Sequence, residues 1–145
     1  MEKIRIKLLR DGAQIPTYGT AGAAGADLYA CMDQEVTIQP GQTAKICTGV
    51  SMESPFGCVG LVFARSSMGV KRDLAPANKV GVIDSDYRGE IMVMLHNHGS
   101  SEQTVIPGER VAQILIMPVY APGFTVAEEL SDTARGQGGF GSTGK

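Results

Sequence analysis

Several absences narrow the chain before any motif does. It has no tryptophan, which leaves it without an indole reporter of its own. No apolar run approaches the ~20 residues that a membrane-spanning helix needs, so a helical span is excluded and no membrane partner is expected. Lys and Arg number 13 against 15 Asp and Glu, a net charge of −2, and this leaves no basic footprint for nucleic acid. Three cysteines, Cys31, Cys47 and Cys58, stand at wide, irregular spacing in a chain without a signal peptide. They read as buried free thiols, and none has a nearby His to make it a nucleophile. The expected location is the cytoplasm. Helical spacing is missing too: no segment repeats apolar residues at intervals of three and four over more than about two turns.

What is present is alternation. Ile4, Ile6 and Leu8 alternate with Lys3, Arg5 and Lys7, the pattern of a half-buried strand. Val36 and Ile38 alternate before a Pro40-Gly41 turn. Ala44 to Met52 reads as one long strand closed by Pro55-Phe56-Gly57, and Val59, Leu61 and Phe63 form the next. Ile91, Val93 and Leu95 alternate again; Thr104–Ile106, a Pro107-Gly108 turn and Val111–Val119 follow. One short helix is allowed after Ser66. Many short strands with Gly and Pro turns, in 145 residues with 19 glycines, predict a single all-β domain: a sandwich, jelly roll or barrel. There is no linker or internal repeat.

Two stretches carry chemistry. Asn78-Lys79-Val80-Gly81-Val82-Ile83-Asp84-Ser85-Asp86-Tyr87-Arg88-Gly89 reads as a hairpin, with Asp84 where an apolar strand meets the loop. Asp84 and Asp86 can be turn formers, or Asp84 a general base at the mouth of a pocket. Arg135 to Gly144 holds five glycines in ten residues and cannot bury enough apolar surface to fold alone. It is either a disordered tail or a phosphate clamp, with backbone N–H groups, a guanidinium and hydroxyls for an anion and a ring for a base to stack on. His96 and His98 share a strand face, but no third ligand accompanies them, and they read as surface or interface histidines. Glu128, Glu129 and Asp132 read as a solvated acidic face. Arg88 and Arg110 read as structural or inter-subunit charges.

Five stretches in order, Ala24–Ala30, Arg65–Gly69, Gly81–Gly89, Pro107–Ile114 and Arg135–Gly144, together resemble the motifs of the trimeric dUTPases. The resemblance implies an all-β jelly-roll protomer over residues 1–130, with residues 131–145 a mobile lid over a neighbouring subunit's site. It implies a homotrimer with shared active sites, hydrolysing dUTP to dUMP and pyrophosphate with Mg²⁺. That reaction keeps uracil out of DNA and supplies dUMP for thymidylate synthesis. By the family pattern Asp84 activates the attacking water, and Asp27 holds Mg²⁺ through its waters. Asn78 and the backbone of Gly81, Val82 and Ile83 read uracil, and Tyr87 lies against the deoxyribose. Arg65, Ser66, Ser67 and Gln113 contact the phosphates. Arg135, Gly141, Ser142 and Thr143 close from the tail, with Phe140 stacked on uracil. Two positions depart from the pattern: Ser67 stands where Gly is usual and Met68 where Leu is usual. Ser-Ser here resembles the homologous dCTP deaminases, which carry a catalytic glutamate ten residues beyond the aspartate. This chain has Met94 there, and a thioether cannot shuttle protons.

Overall fold

Alternation becomes structure where one face of a strand can be buried. The computed structural model describes residues 3–141, and every ladder in it is antiparallel. The strands are β1 (Arg5–Leu8), β2 (Thr17–Tyr18), β3 (Ala26–Tyr29), β4 (Val36–Ile38), β5 (Thr43–Cys47) and β6 (Val50–Glu53). After β7 (Cys58–Phe63) comes the one helix among the described residues, α1 (Ser66–Arg72), then β8 (Leu74–Pro76), β9 (Gly81–Ile83), β10 (Met92–Asn97), β11 (Gln103–Val105) and β12 (Arg110–Pro118). A five-stranded sheet runs β2-β3-β12-β7-β9 and a three-stranded one β5-β10-β8, with the ribbons β1-β6 and β11-β4 beside them. The protomer is the expected all-β jelly roll.

β10 shows why the pattern folds this way. Val93, Leu95 and Asn97 point into the core while Met92 and Met94 face out. Val93 and Leu95 join Leu28, Ile38, Ile46, Leu74 and Val105 in one apolar cluster. Two buried polar side chains are tied into this core, while the buried Ser54 hydroxyl has no partner: Asn97 Nδ2 donates to the carbonyls of Ile38 at 2.9 Å and Ser101 at 2.8 Å, and the Thr48 hydroxyl donates to Ile91 O at 2.6 Å. Such networks fix register as well as burial. Among the cysteines, Cys31 is buried but Cys47 and Cys58 are only half-buried, and all are free thiols. None of the described helices is long and apolar enough to cross a membrane.

Two features differ from the expected pattern. The stretch Ala44–Met52 is two strands, broken at Thr48-Gly49, where Gly49 takes φ 68° against Ala13 and Cys31. Asn78–Gly89 is not a hairpin either. Tyr87 N–H does close a turn onto Asp84 O at 3.1 Å, but β9 pairs with β7, while β10 pairs with β5 and β8. The returning chain is drawn elsewhere by its own groups. Glu90 receives both Arg10 Nη atoms, at 2.7 and 2.6 Å, and the Gly49 N–H, and Ile91 N–H donates to Val50 O. Regular structure ends at Pro118; residues 119–137 run exposed without a strand.

Candidate active site

Splitting β9 from β10 opens a cleft between them. Asn78, Gly81, Val82 and Ile83 line it on one side, with Val62, Pro76, Met92, Val93 and Met94 completing a cavity of about 120 Å³. Gly81 packs closely on its strand partner: a Cβ there would meet the Val62 Cβ at 3.2 Å. Asp84 follows directly and is exposed. Its turn is braced by Arg88, whose Nη1 donates to Ser85 O at 2.7 Å and Tyr87 O at 3.0 Å. The Tyr87 ring folds over Gly89, and its hydroxyl donates to Glu90 O at 3.0 Å. A side chain at position 89 would collide with that ring.

A second group gathers at the other end of the same sheet. Gln113 on β12 stands opposite Asp27 on β3 and Phe63 on β7. Arg65, just beyond β7 and extended at the start of α1, donates from Nε to Asp27 Oδ1 at 2.7 Å. Its Nη1 reaches the Ser67 hydroxyl at 3.2 Å. Gln113 Nε2 donates to Ala64 O at 3.0 Å, and its amide lies so close over Gly25 that a Cβ there would stand 2.6 Å from Oε1. Arg110 Nη1 donates to the remaining Asp27 oxygen at 3.2 Å. Ser66 is exposed at the first position of α1.

Arg110 was read from sequence only as a structural or inter-subunit charge, and the reason is a β-bulge. The register between β12 and β3 shifts between Arg110 and Ala112, so Val111 is an extra residue. Without it, Arg110 and Gln113 would face opposite sides. With it, both share a face with Asp27 and Tyr29. Strict alternation hides such a pairing.

The described tail does not join either group on its own chain. Arg135 Nε donates to Gly138 O at 2.8 Å within the tail, and Phe140 is fully exposed at φ 49°. Gly141 takes φ 89°, and Ser142 and Thr143 lie outside the described residues. His96 and His98 stack edge to face at 4.4 Å. Among the described residues no group of three or more His, Cys, Asp or Glu side chains is set to hold a metal. Asp27 stands between two guanidiniums, which is no cage for a bare cation. Its spare lone pairs suit Mg²⁺ that arrives on phosphates and keeps its waters.

Fold and site define a class: a jelly-roll protein with a cationic cluster at one end of β7, an exposed carboxylate at the other, and a narrow apolar cleft between. The dUTPase family profile matches residues 11–144. The chain is 52% identical over 149 residues to the deoxyuridine 5′-triphosphate nucleotidohydrolase of Desulfitobacterium hafniense, covering 99% of each. The dUTPase of Staphylococcus bacteriophage 80alpha, solved with dUPNHPP, superposes at a TM-score of 0.92 with 27% identity over 100% of both chains. A dUTPase of phage phi11 of S. aureus, whose structure is described as coordinating a structural Mg(II) ion, superposes at 0.82 over 90% of this chain and 100% of its own. At 23% identity that likeness speaks for the fold alone. The chain belongs to the dUTPase family and is an enzyme that hydrolyses dUTP.

Proposed function

We propose that dUTP is cleaved to dUMP and pyrophosphate by water that Asp84 activates for attack on the α-phosphorus, in sites shared between the chains of a homotrimer. The observation that carries this reading is the order of parts along β7. Ile83 pairs with Gly60, so Asp84 lies beside Val59, six residues from Arg65. At about 3.3 Å per residue the two are roughly 20 Å apart. The uracil cleft falls between them. A nucleotide seated there with its α-phosphorus at Asp84 therefore points its phosphates away from its own chain's Arg65. One ligand can meet both groups only if a second chain supplies the cluster. The exposed Tyr120, Phe124, Val126 and Leu130 support the same assembly, since apolar side chains in this number are covered by a partner in a soluble assembly.

Within such a site each residue has a task. Asn78 and the backbone of Gly81, Val82 and Ile83 meet the uracil edge, and their fixed donors and acceptors reject cytosine, which presents the reverse pattern. A backbone that holds the ring closely along this strand would clash with a thymine methyl, which a loose apolar pocket would tolerate. Tyr87 lies against the deoxyribose and leaves no room for a 2′-hydroxyl. Asp84 orients one water and takes its proton. Arg65, Ser66, Ser67 and Gln113 of a neighbouring chain hold the phosphates, and Asp27 accepts hydrogen bonds from waters of the Mg²⁺ that the triphosphate brings. When bound, Mg²⁺ supplies charge neutralisation on the phosphates. The lid, residues 131–145, brings Arg135, Gly141, Ser142 and Thr143 to the phosphates and Phe140 to the uracil face. Removing dUTP keeps uracil out of DNA, and the product dUMP feeds thymidylate synthesis. A pyrophosphate-release assay with dUTP, dCTP, dTTP and UTP tests this: release from dUTP alone supports it, and comparable release from dTTP or UTP contradicts it.

A further inference from the structure

Seven residues are too few for a helix to hold its own place, yet α1 carries the phosphate contacts at its start. Its position is fixed by ion pairs at both ends. At the N-terminal end Arg65 holds Asp27, and Asp27 holds Arg110. At the C-terminal end Arg72 pairs with Glu109, donates from Nε to Gln103 Oε1 at 3.0 Å, and reaches the Thr104 carbonyl at 2.5 Å. Glu109 and Arg110 are neighbours in the chain, at the entry to β12. The ties therefore close a ring: Arg65, Asp27, Arg110, Glu109, Arg72, and back along α1. Each pair contains at least one side chain no more than 24% exposed, so solvent screens the ring less than it would a surface pair.

We infer that Arg72 and Glu109 are positioning residues for phosphate binding, acting through α1 on Arg65, Ser66 and Ser67. The inference rests on the phosphate roles proposed above. α1 is about 10 Å long at 1.5 Å per residue, so Arg72 lies a helix length from those contacts. Its importance grows when substrate arrives. Phosphates compete with Asp27 for the Arg65 guanidinium, and as that tie loosens the Arg72–Glu109 pair becomes the charge tie that keeps α1 in place. Glu109 is itself held by the Ile106 N–H at 3.1 Å, and its carbonyl accepts from Ala30 N–H at 2.8 Å. The anchor is thus fixed to the sheet that carries Asp27 and Gln113.

The test compares two ligands on E109Q, R72Q, R72K and the R72Q/E109Q double variant. Binding of the α,β-imido analogue of dUTP with Mg²⁺ is measured by calorimetry, and binding of deoxyuridine, which has no phosphates, by NMR titration. Cutting the ring should weaken the analogue about tenfold, a size usual for residues coupled through one network. Deoxyuridine affinity should stay unchanged and KM should rise more than kcat falls. The double variant should lose no more than the worse single, because the ring is cut once either way, and R72K should recover part of the loss. Unchanged analogue affinity in a folded variant, equal weakening of both ligands, or additive losses would each overturn the positioning role. R72K keeps the charge and carries the test if the neutral variants fail to fold. Failure of the wild-type protein to bind the analogue would instead overturn the site itself.

Discussion

Asp84 and Glu90 sit six residues apart and show how differently one side-chain chemistry is used. Asp84 is exposed at the end of a strand. Glu90 is almost covered, takes both nitrogens of Arg10 and the Gly49 N–H, and its carboxyl is held below the usual range by the Arg10 hydrogen bonds first. Asp84→Asn keeps shape and polarity but removes the base, so turnover should fall by ~10² or more while the imido analogue still binds. Near-normal turnover would rule Asp84 out as the base. Glu90 contributes to acid stability. Its folded pKa is depressed, so its contribution is complete above the unfolded value near 4.3 and is lost as pH falls through the folded value. The melting temperatures of the wild-type protein and E90Q should therefore converge as pH drops from about 6 to about 3; a constant gap would contradict the pairing. Asp27, Arg65 and Gln113, which the structure brings together, and Asn78, which lines the cleft, could be singled out in the sequence because their motifs are contiguous. Arg110 could not, because its partner lies on another strand and a bulge decides its facing.

At the scale of elements, alternation identified β1, β7 and β10 and allowed only the helix that is found. It missed β2 and β8, which are two and three residues long and carry too little pattern to show a period. It also read Asn78–Gly89 as a hairpin. Turn chemistry was right there, but Glu90 and Ile91 bind Arg10, Gly49 and Val50, and long-range ties of that kind leave no local trace. The resulting gap is the cleft itself. Strand β12 ends at Pro118; after the Val119 N–H bond to Gly57 O at 2.8 Å, the backbone bonds of the described tail are local turns within Thr133–Gly138. Deleting residues after Ala134 should leave the melting temperature and assembly unchanged and reduce dUTP turnover steeply, because the proposed lid excludes bulk water and adds a positive charge. Full activity in the truncated chain would remove the lid from the account.

At the scale of the molecule, one protomer holds the cationic cluster and Asp84 too far apart for one nucleotide, in the proposed binding mode, to reach both. The cationic cluster and Asp84 stand at opposite ends of β7, and the arm from residue 119 leaves its own chain uncovered. The sequence pointed to shared sites through the spread of its motifs; the register of β7 with β9 supports the proposal that Asp84 and Arg65 reach one nucleotide from different chains. The most direct measurement is therefore complementation. Asp84→Asn and Arg65→Gln chains are purified separately, shown to be inactive, mixed after reversible dissociation, and assayed for pyrophosphate release from dUTP. If the two residues come from different chains of a trimer, random mixing gives about a quarter of sites an intact pair, and activity should recover to about that share of wild type. If the mixture forms trimers and stays as inactive as its components, Asp84 and Arg65 serve the same chain's site and the shared-site account is wrong.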